Sequence, residues 1–225
     1  PRAAARAYAP AVFRCLVTAV ALLVACGDDL PGDPSRPIPA RYWGATPAPH
    51  SGSVTLTADG ARLVVAHPDI DRVSFVDLAR RVVVGEVALG PAPAVAADGR
   101  WAPPVAPNGV SLAPHRDVAY VTARNAGELV ALDLSAMRVI ARAPVCAEPT
   151  AVLVGPSEAS VLVACAPDRE LVAVDARSLR VTRRVALPDE PGALALTDDG
   201  GVVVTHPRTG GVTRLDATTL AIMAR

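Results

Sequence analysis

The chain has 225 residues, with 22 basic and 22 acidic side chains, and every basic one is Arg, so its formal net charge is zero. That balance argues against a phosphate-neutralising nucleic-acid binder, which needs a basic excess or stripe. The length allows one sizeable domain or two small ones.

Residues 1–25 are basic at first and apolar after, the order expected of a signal peptide. Arg2, Arg6 and Arg14 precede an uncharged apolar run from Cys15 to Ala25. As a helix this run is too short for the ~30 Å hydrocarbon core of a bilayer, but it suits the centre of a signal peptide. It closes on Leu23-Val24-Ala25-Cys26, which resembles the lipobox of bacterial lipoproteins. The resemblance implies a diacylglyceryl group on Cys26, membrane lipid as a partner, and a location facing the periplasm or cell surface. The first residue is Pro, so the expectation is a fragment or a misplaced start. Residues 26–50 form a tether: six prolines and no apolar periodicity lie between Gly27 and His50. Pro-rich chain is stiff and extends ~3 Å per residue. Tyr42 and Trp43 within it are expected to pack locally, with a docking patch as the alternative.

Residues 51–225 carry a repeat. Pro107, Pro149 and Pro191 follow one another at intervals of 42 residues, as do Asp133 and Asp175, and Asp216 follows 41 later. Asp77 lies 56 before Asp133, and an insertion at 91–106 accounts for the surplus. The copies are 51–90, 107–148, 149–190 and 191–225. Each has four β-rich segments separated by Gly, Pro, Asp or Ser. In the third copy the fourth segment, Arg180 to Leu187, alternates in polarity, which predicts a regular half-exposed outer strand.

A repeated four-stranded unit of ~40–45 residues is the signature of propeller blades. The fold expected is therefore all-β: a β-propeller of four-stranded antiparallel blades, about four of them present as an incomplete ring, preceded by a signal-peptide helix and a Pro-rich linker. The segments from Leu63 to Gly90 and from Ala119 to Val145 also resemble the YVTN-type β-propeller repeat, whose second strand ends in Tyr-Val-x-Asn and whose third ends in Ile-Asp. The Asp position is matched by Asp77, Asp133, Asp175 and Asp216, whereas the Asn position holds His67, Ala123, Cys165 and His206. Four copies fall short of the seven usual for this repeat, so the native chain is expected to continue past Arg225. Closure of four blades, or the joining of two chains, are the alternatives.

The recurring Asp is a turn former, because its carboxylate accepts backbone N–H groups two residues on. One Asp per blade keeps these carboxylates apart, so no metal site and no catalytic acid pair is expected. Cys146 and Cys165 fall on one rim of adjacent blades, and in an exported protein such a pair is expected to close as a disulfide. Their spacing matches no short zinc motif. His67 and His206 share that rim but lie in the first and fourth copies, so they are expected to be loop histidines, with a metal site at the channel mouth as the remote alternative. His115 is expected at the surface. Trp101, in the insertion, is a candidate binding residue; the alternative is a disordered Pro/Ala excursion. No haem-attachment, hydrolase-elbow, zinc-protease or phosphate-loop motif occurs, so no catalytic residue or cofactor is expected. The functional expectation is a membrane-anchored binding or scaffold module for a protein or glycan partner. The alternative is the propeller domain of a periplasmic oxidoreductase or hydrolase, with its active site in missing blades or an appended domain.

Overall fold

Short apolar segments divided by tight turns pair with their sequence neighbours, and here they do so four times. The computed structural model describes residues 52–224; the expected signal helix, Cys26 and the tether with Tyr42 and Trp43 lie outside them. The first blade contains β1 (Val54–Leu56), β2 (Arg62–His67), β3 (Arg72–Asp77) and β4 (Val82–Ala88). The insertion adds β5 (Ala94–Val95) and β6 (Trp101–Ala102). The second blade is β7 (Pro107–Ala113), β8 (Val118–Ala123), β9 (Glu128–Asp133) and β10 (Arg138–Pro144). The third is β11 (Pro149–Val154), β12 (Ser160–Cys165), β13 (Glu170–Asp175) and β14 (Val181–Ala186). The fourth is β15 (Leu194–Leu196), β16 (Gly201–His206), β17 (Gly211–Asp216) and β18 (Ile222–Ala224). All pairings are antiparallel and in chain order within each blade. One turn of 3-10 helix, Pro114–Arg116, is the single helical element among the described residues.

Side chains alternate between the two faces of a strand, and each inner blade has a neighbour on both faces. Strand β8 is accordingly buried at every residue. Tyr120, Leu129 and Ala131 of the second blade pack on Val152, Val163 and Val172 of the third. The opposite face of the third blade, with Leu153, Leu162 and Leu171, meets Val202, Val204 and Leu215 of the fourth. Val64, Val73 and Phe75 of the first blade meet Val121, Val130 and Leu132. Each such buried Val, Leu or Phe is worth roughly 1.5–3 kcal/mol, so the interfaces between blades are the core.

The fourth strands depart from the expected regular alternation. In each blade the ladder between third and fourth strands slips by one residue, leaving Val84, Ile140, Thr182 and Met223 unpaired at equivalent positions. A bulge sets two residues against one and increases local twist. Val181 is therefore exposed while Leu187, expected on its face, is buried. The bulge recurs at one place in every repeat although the residue there ranges from Val and Ile to Thr and Met, so it belongs to the backbone of the blade.

Polar ties also recur. Arg184 pairs with Glu170 at 3.0 Å, and its Nη2 donates to the Val145 carbonyl of the preceding blade at 2.7 Å. Arg142 repeats this with Glu128 at 3.6 Å and the Leu89 carbonyl. In the first blade the pair is reversed: Arg72 lies on the third strand and Glu86 on the fourth, 3.4 Å apart.

Candidate functional site

Strand direction alternates within a blade, so the turns between second and third strands share a rim with the connections from one blade to the next. The insertion leaves from this rim. Its two strands pair Val95 with Trp101 and Ala94 with Ala102. The turn between them needs Gly99, whose φ is +82°, and is closed by the Gly99 N–H donating to the Ala96 carbonyl at 2.9 Å. Left-handed backbone of this kind carries no steric penalty only for glycine.

Three side chains tie this hairpin to the blades. Trp101 Nε1–H donates to the Asp69 carbonyl at 2.7 Å. Asp71 is 1% exposed, and its carboxylate accepts the Val105 N–H at 3.2 and 3.3 Å and the Ala106 N–H at 2.6 Å. A buried charge without hydrogen bonds is costly, so Asp71 draws the far end of the insertion against the first blade. Asn125 of the second blade donates through Nδ2 to the Pro103 carbonyl at 2.7 Å. A Cβ at Gly90 would come within 2.5 Å of Val105 Cγ2, so the close approach at the start of the insertion requires glycine. The insertion is thus a pinned hairpin with Trp101 52% and Val95 62% exposed on one side of it. A fixed, exposed aromatic beside an aliphatic side chain is a surface that can stack on a partner without ordering a loop first.

The other residues of this rim close local bonds. His67 Nε2 lies 2.9 Å from Ser74 Oγ, which donates to Glu86 Oε1 at 3.1 Å; a neutral His67 ring therefore carries its proton on Nε2. His206 Nδ1 faces the Glu190 carbonyl at 3.3 Å and Nε2 faces Thr213 Oγ1 at 2.8 Å, which puts the proton of a neutral ring on Nδ1. The two histidines sit in separate blades and share no partner. Cys146 and Cys165 are joined by a disulfide between the second and third blades, with Cα atoms 6.1 Å apart.

The opposite rim carries the Asp hairpins. Asp77 Oδ1 accepts the Arg80 N–H at 2.8 Å and Asp133 Oδ1 the Ala136 N–H at 2.6 Å. Asp175 Oδ1 accepts the Ser178 N–H and hydroxyl, both at 2.8 Å; Asp216 Oδ1 accepts the Thr219 N–H at 2.7 Å and its hydroxyl at 2.9 Å. The backbone N–H groups, and after them the hydroxyls, hold the Asp175 and Asp216 carboxyls below the ordinary carboxylate value. Four residues after each Asp the chain turns left-handed, at Arg81, Met137, Leu179 and Leu220. One Asp per blade leaves these carboxylates dispersed. His115 is exposed on this rim, and its Nδ1 lies 2.8 Å from Glu158 Oε1 of the next blade, beside a cleft of about 340 Å³ that Arg116, Asp175 and Arg177 also line. Neither Glu158 nor Asp71 stands out in the sequence, because no spacing rule marks a carboxylate whose partner lies on another blade.

No protein-family model matches the chain, and no curated protein does. Solved structures do. Hydrazine synthase of Kuenenia stuttgartiensis is 19% identical, with a TM-score of 0.64 over 80% of this chain and 49% of that one. The dihydro-heme d1 dehydrogenase NirN, in complex with DHE, is 15% identical, with a TM-score of 0.51 over 77% of this chain and 36% of that one. A protein of Bacteroides fragilis assigned as a 6-phosphogluconolactonase is 13% identical, with a TM-score of 0.58 over 78% and 54%. The fold is that of propeller blades. The chain spans about half or less of the length of each of these proteins.

Proposed function

We propose that this chain is a membrane-anchored, extracytoplasmic propeller of the YVTN repeat type, a lipoprotein held through Cys26, and that it serves as a binding or scaffold module for a protein or glycan. The observation that carries the reading is the pinned hairpin: an insertion the repeat does not need, fixed by Asp71 and by the indole N–H, with the rest of Trp101 left open. The disulfide between blades agrees with an oxidising compartment. Fractionation tests the anchor: the wild type should incorporate labelled palmitate and partition with membranes, and Cys26→Ala should do neither. Unchanged labelling and partition in that variant would remove the anchor. For binding, the wild type should retain a ligand from a glycan array, purified peptidoglycan or cross-linked envelope proteins, with at least about tenfold less retained by Trp101→Ala. Equal retention by the two would end the proposal for the hairpin.

A second reading is the propeller domain of a periplasmic oxidoreductase or hydrolase. It draws support from the similar structures, all three of which carry enzyme names: a synthase, a dehydrogenase and a lactonase. His115, Glu158 and Asp175 line one open cleft on the Asp rim, but the pinned hairpin with its exposed Trp101 favours the binding reading and places this one second. Turnover that depends on further blades or on an appended domain would promote it.

A further inference from the structure

Cys146 follows the end of β10, Cys165 is the last residue of β12, and Asp168 stands in the turn before β13. Both sulfurs and a carboxylate oxygen of Asp168 lie within 4.8 Å of one another. The Ala147 N–H donates to Asp168 Oδ2 at 3.4 Å, which holds the carboxylate near the cysteines. Cys165 is buried and Cys146 half-buried, and Cys146 lines an open cleft together with Asn125, Gly127 and Arg184. Cys165 is thus sheltered while Cys146 is partly open to solvent.

The chemistry of these three groups goes beyond a cross-link. Two thiolates and a carboxylate form a donor set for borderline and soft divalent ions such as Zn²⁺, Co²⁺ and Cd²⁺. Reduction lets the two bonded sulfurs separate to the roughly 3.5–4 Å that metal–sulfur bonds of ~2.3 Å in a tetrahedron require, and the Asp168 oxygen already lies within 4.8 Å of both. Cys165 and Asp168 are separated by two residues across a hairpin turn, a spacing that short metal loops use. The third ligand comes from the neighbouring blade, which is why the spacing of the two cysteines alone does not disclose the set.

We propose that Cys146, Cys165 and Asp168 form a redox-gated metal site, closed as a disulfide when oxidised and open to a Zn²⁺-class ion once reduced. A dithiol reductant transfers two electrons and two protons to the disulfide, giving two cysteine thiols and its own cyclic disulfide. A divalent ion then displaces the two thiol protons and binds both thiolates and the Asp168 carboxylate, and water takes the fourth position. Exchange with a small-molecule disulfide, which takes up the two electrons and leaves as two thiolates, releases the ion and restores the S–S bond. This does not depend on the proposed anchor or on the Trp101 hairpin.

The test uses the full chain with Cys15 and Cys26 replaced by serine, so that the remaining thiols are those of Cys146 and Cys165. After anaerobic reduction and removal of the reductant, titration with Co²⁺ should give a thiolate-to-cobalt charge-transfer band that saturates at one equivalent. The oxidised protein should give none. Asp168→Ala retains both cysteines, and circular dichroism establishes that it is folded. It should bind Co²⁺ at least about tenfold more weakly, as expected when one of three protein ligands is lost. No band in the reduced protein, an equal response from the oxidised protein, or equal affinity in Asp168→Ala would each overturn the proposal.

Discussion

His67 and His206 occupy one position in two copies of the same blade, each precedes a Pro, and each bonds a hydroxyl at almost the same distance, 2.9 and 2.8 Å. Only His206 is buried, at 2% exposure, because the third blade covers that face of the fourth. The corresponding face of the first blade carries Val54, Leu56 and the His67–Ser74–Glu86 chain, with no described blade against it. Local structure in these repeats is therefore set by the repeat, while the energy of each position is set by its neighbour.

The sharpest check on this contrast is truncation on the two kinds of face. Leu129→Ala, inside the interface of the second and third blades, should cost about 2–5 kcal/mol in urea unfolding. Leu56→Ala, on the open face of the first, should stay within about 0.5 kcal/mol. Equal losses would mean that the open face is covered in solution. Next, removing the Cys146–Cys165 bond, which closes a loop with a sequence separation of 19, should lower stability by about 3 kcal/mol. His206→Ala leaves the buried Thr213 hydroxyl without its partner and should cost about 1–3 kcal/mol, whereas His67→Ala should cost a fraction of that in the same assay. The smallest effect concerns acid. Asp175 and Asp216 have carboxyls held below the ordinary carboxylate range, so their contribution is complete above the unfolded value and is lost as pH falls through the lower folded values. The double variant Asp175→Asn, Asp216→Asn should therefore lose less stability than the wild type as the pH is taken below about 4, read from thermal melts.

The blade itself was legible because strand, turn and repeat length all recur in the residues. The 42-residue spacing of Pro107, Pro149 and Pro191 marks the units, and runs such as Leu171 to Val174 mark strands covered on both faces. The bulge at Val84, Ile140, Thr182 and Met223 was not legible: a slip in pairing is a property of two strands, and apolar or β-branched residues like these also fill regular strand positions. Within the candidate site, the insertion and Trp101 stand out as surplus to the repeat, but the means of attachment do not. Asp69 contributes only its carbonyl. Asp71 takes a left-handed turn position that Gly127 and Gly210 hold in other blades, so its composition suggests a turn and conceals a buried anchor. The reversed Arg72–Glu86 pair is equally silent until the blades are superimposed in space.

The bond between Cys146 and Cys165 also has a mechanical consequence. If the chain is pulled from its two ends, the segment between these residues bears no tension, because the load passes through sulfur. With a separation of 19 residues, the oxidised chain would reach full extension roughly 60 Å sooner than the reduced one. The redox state of one covalent link would thus be readable as a length, molecule by molecule, in an optical trap.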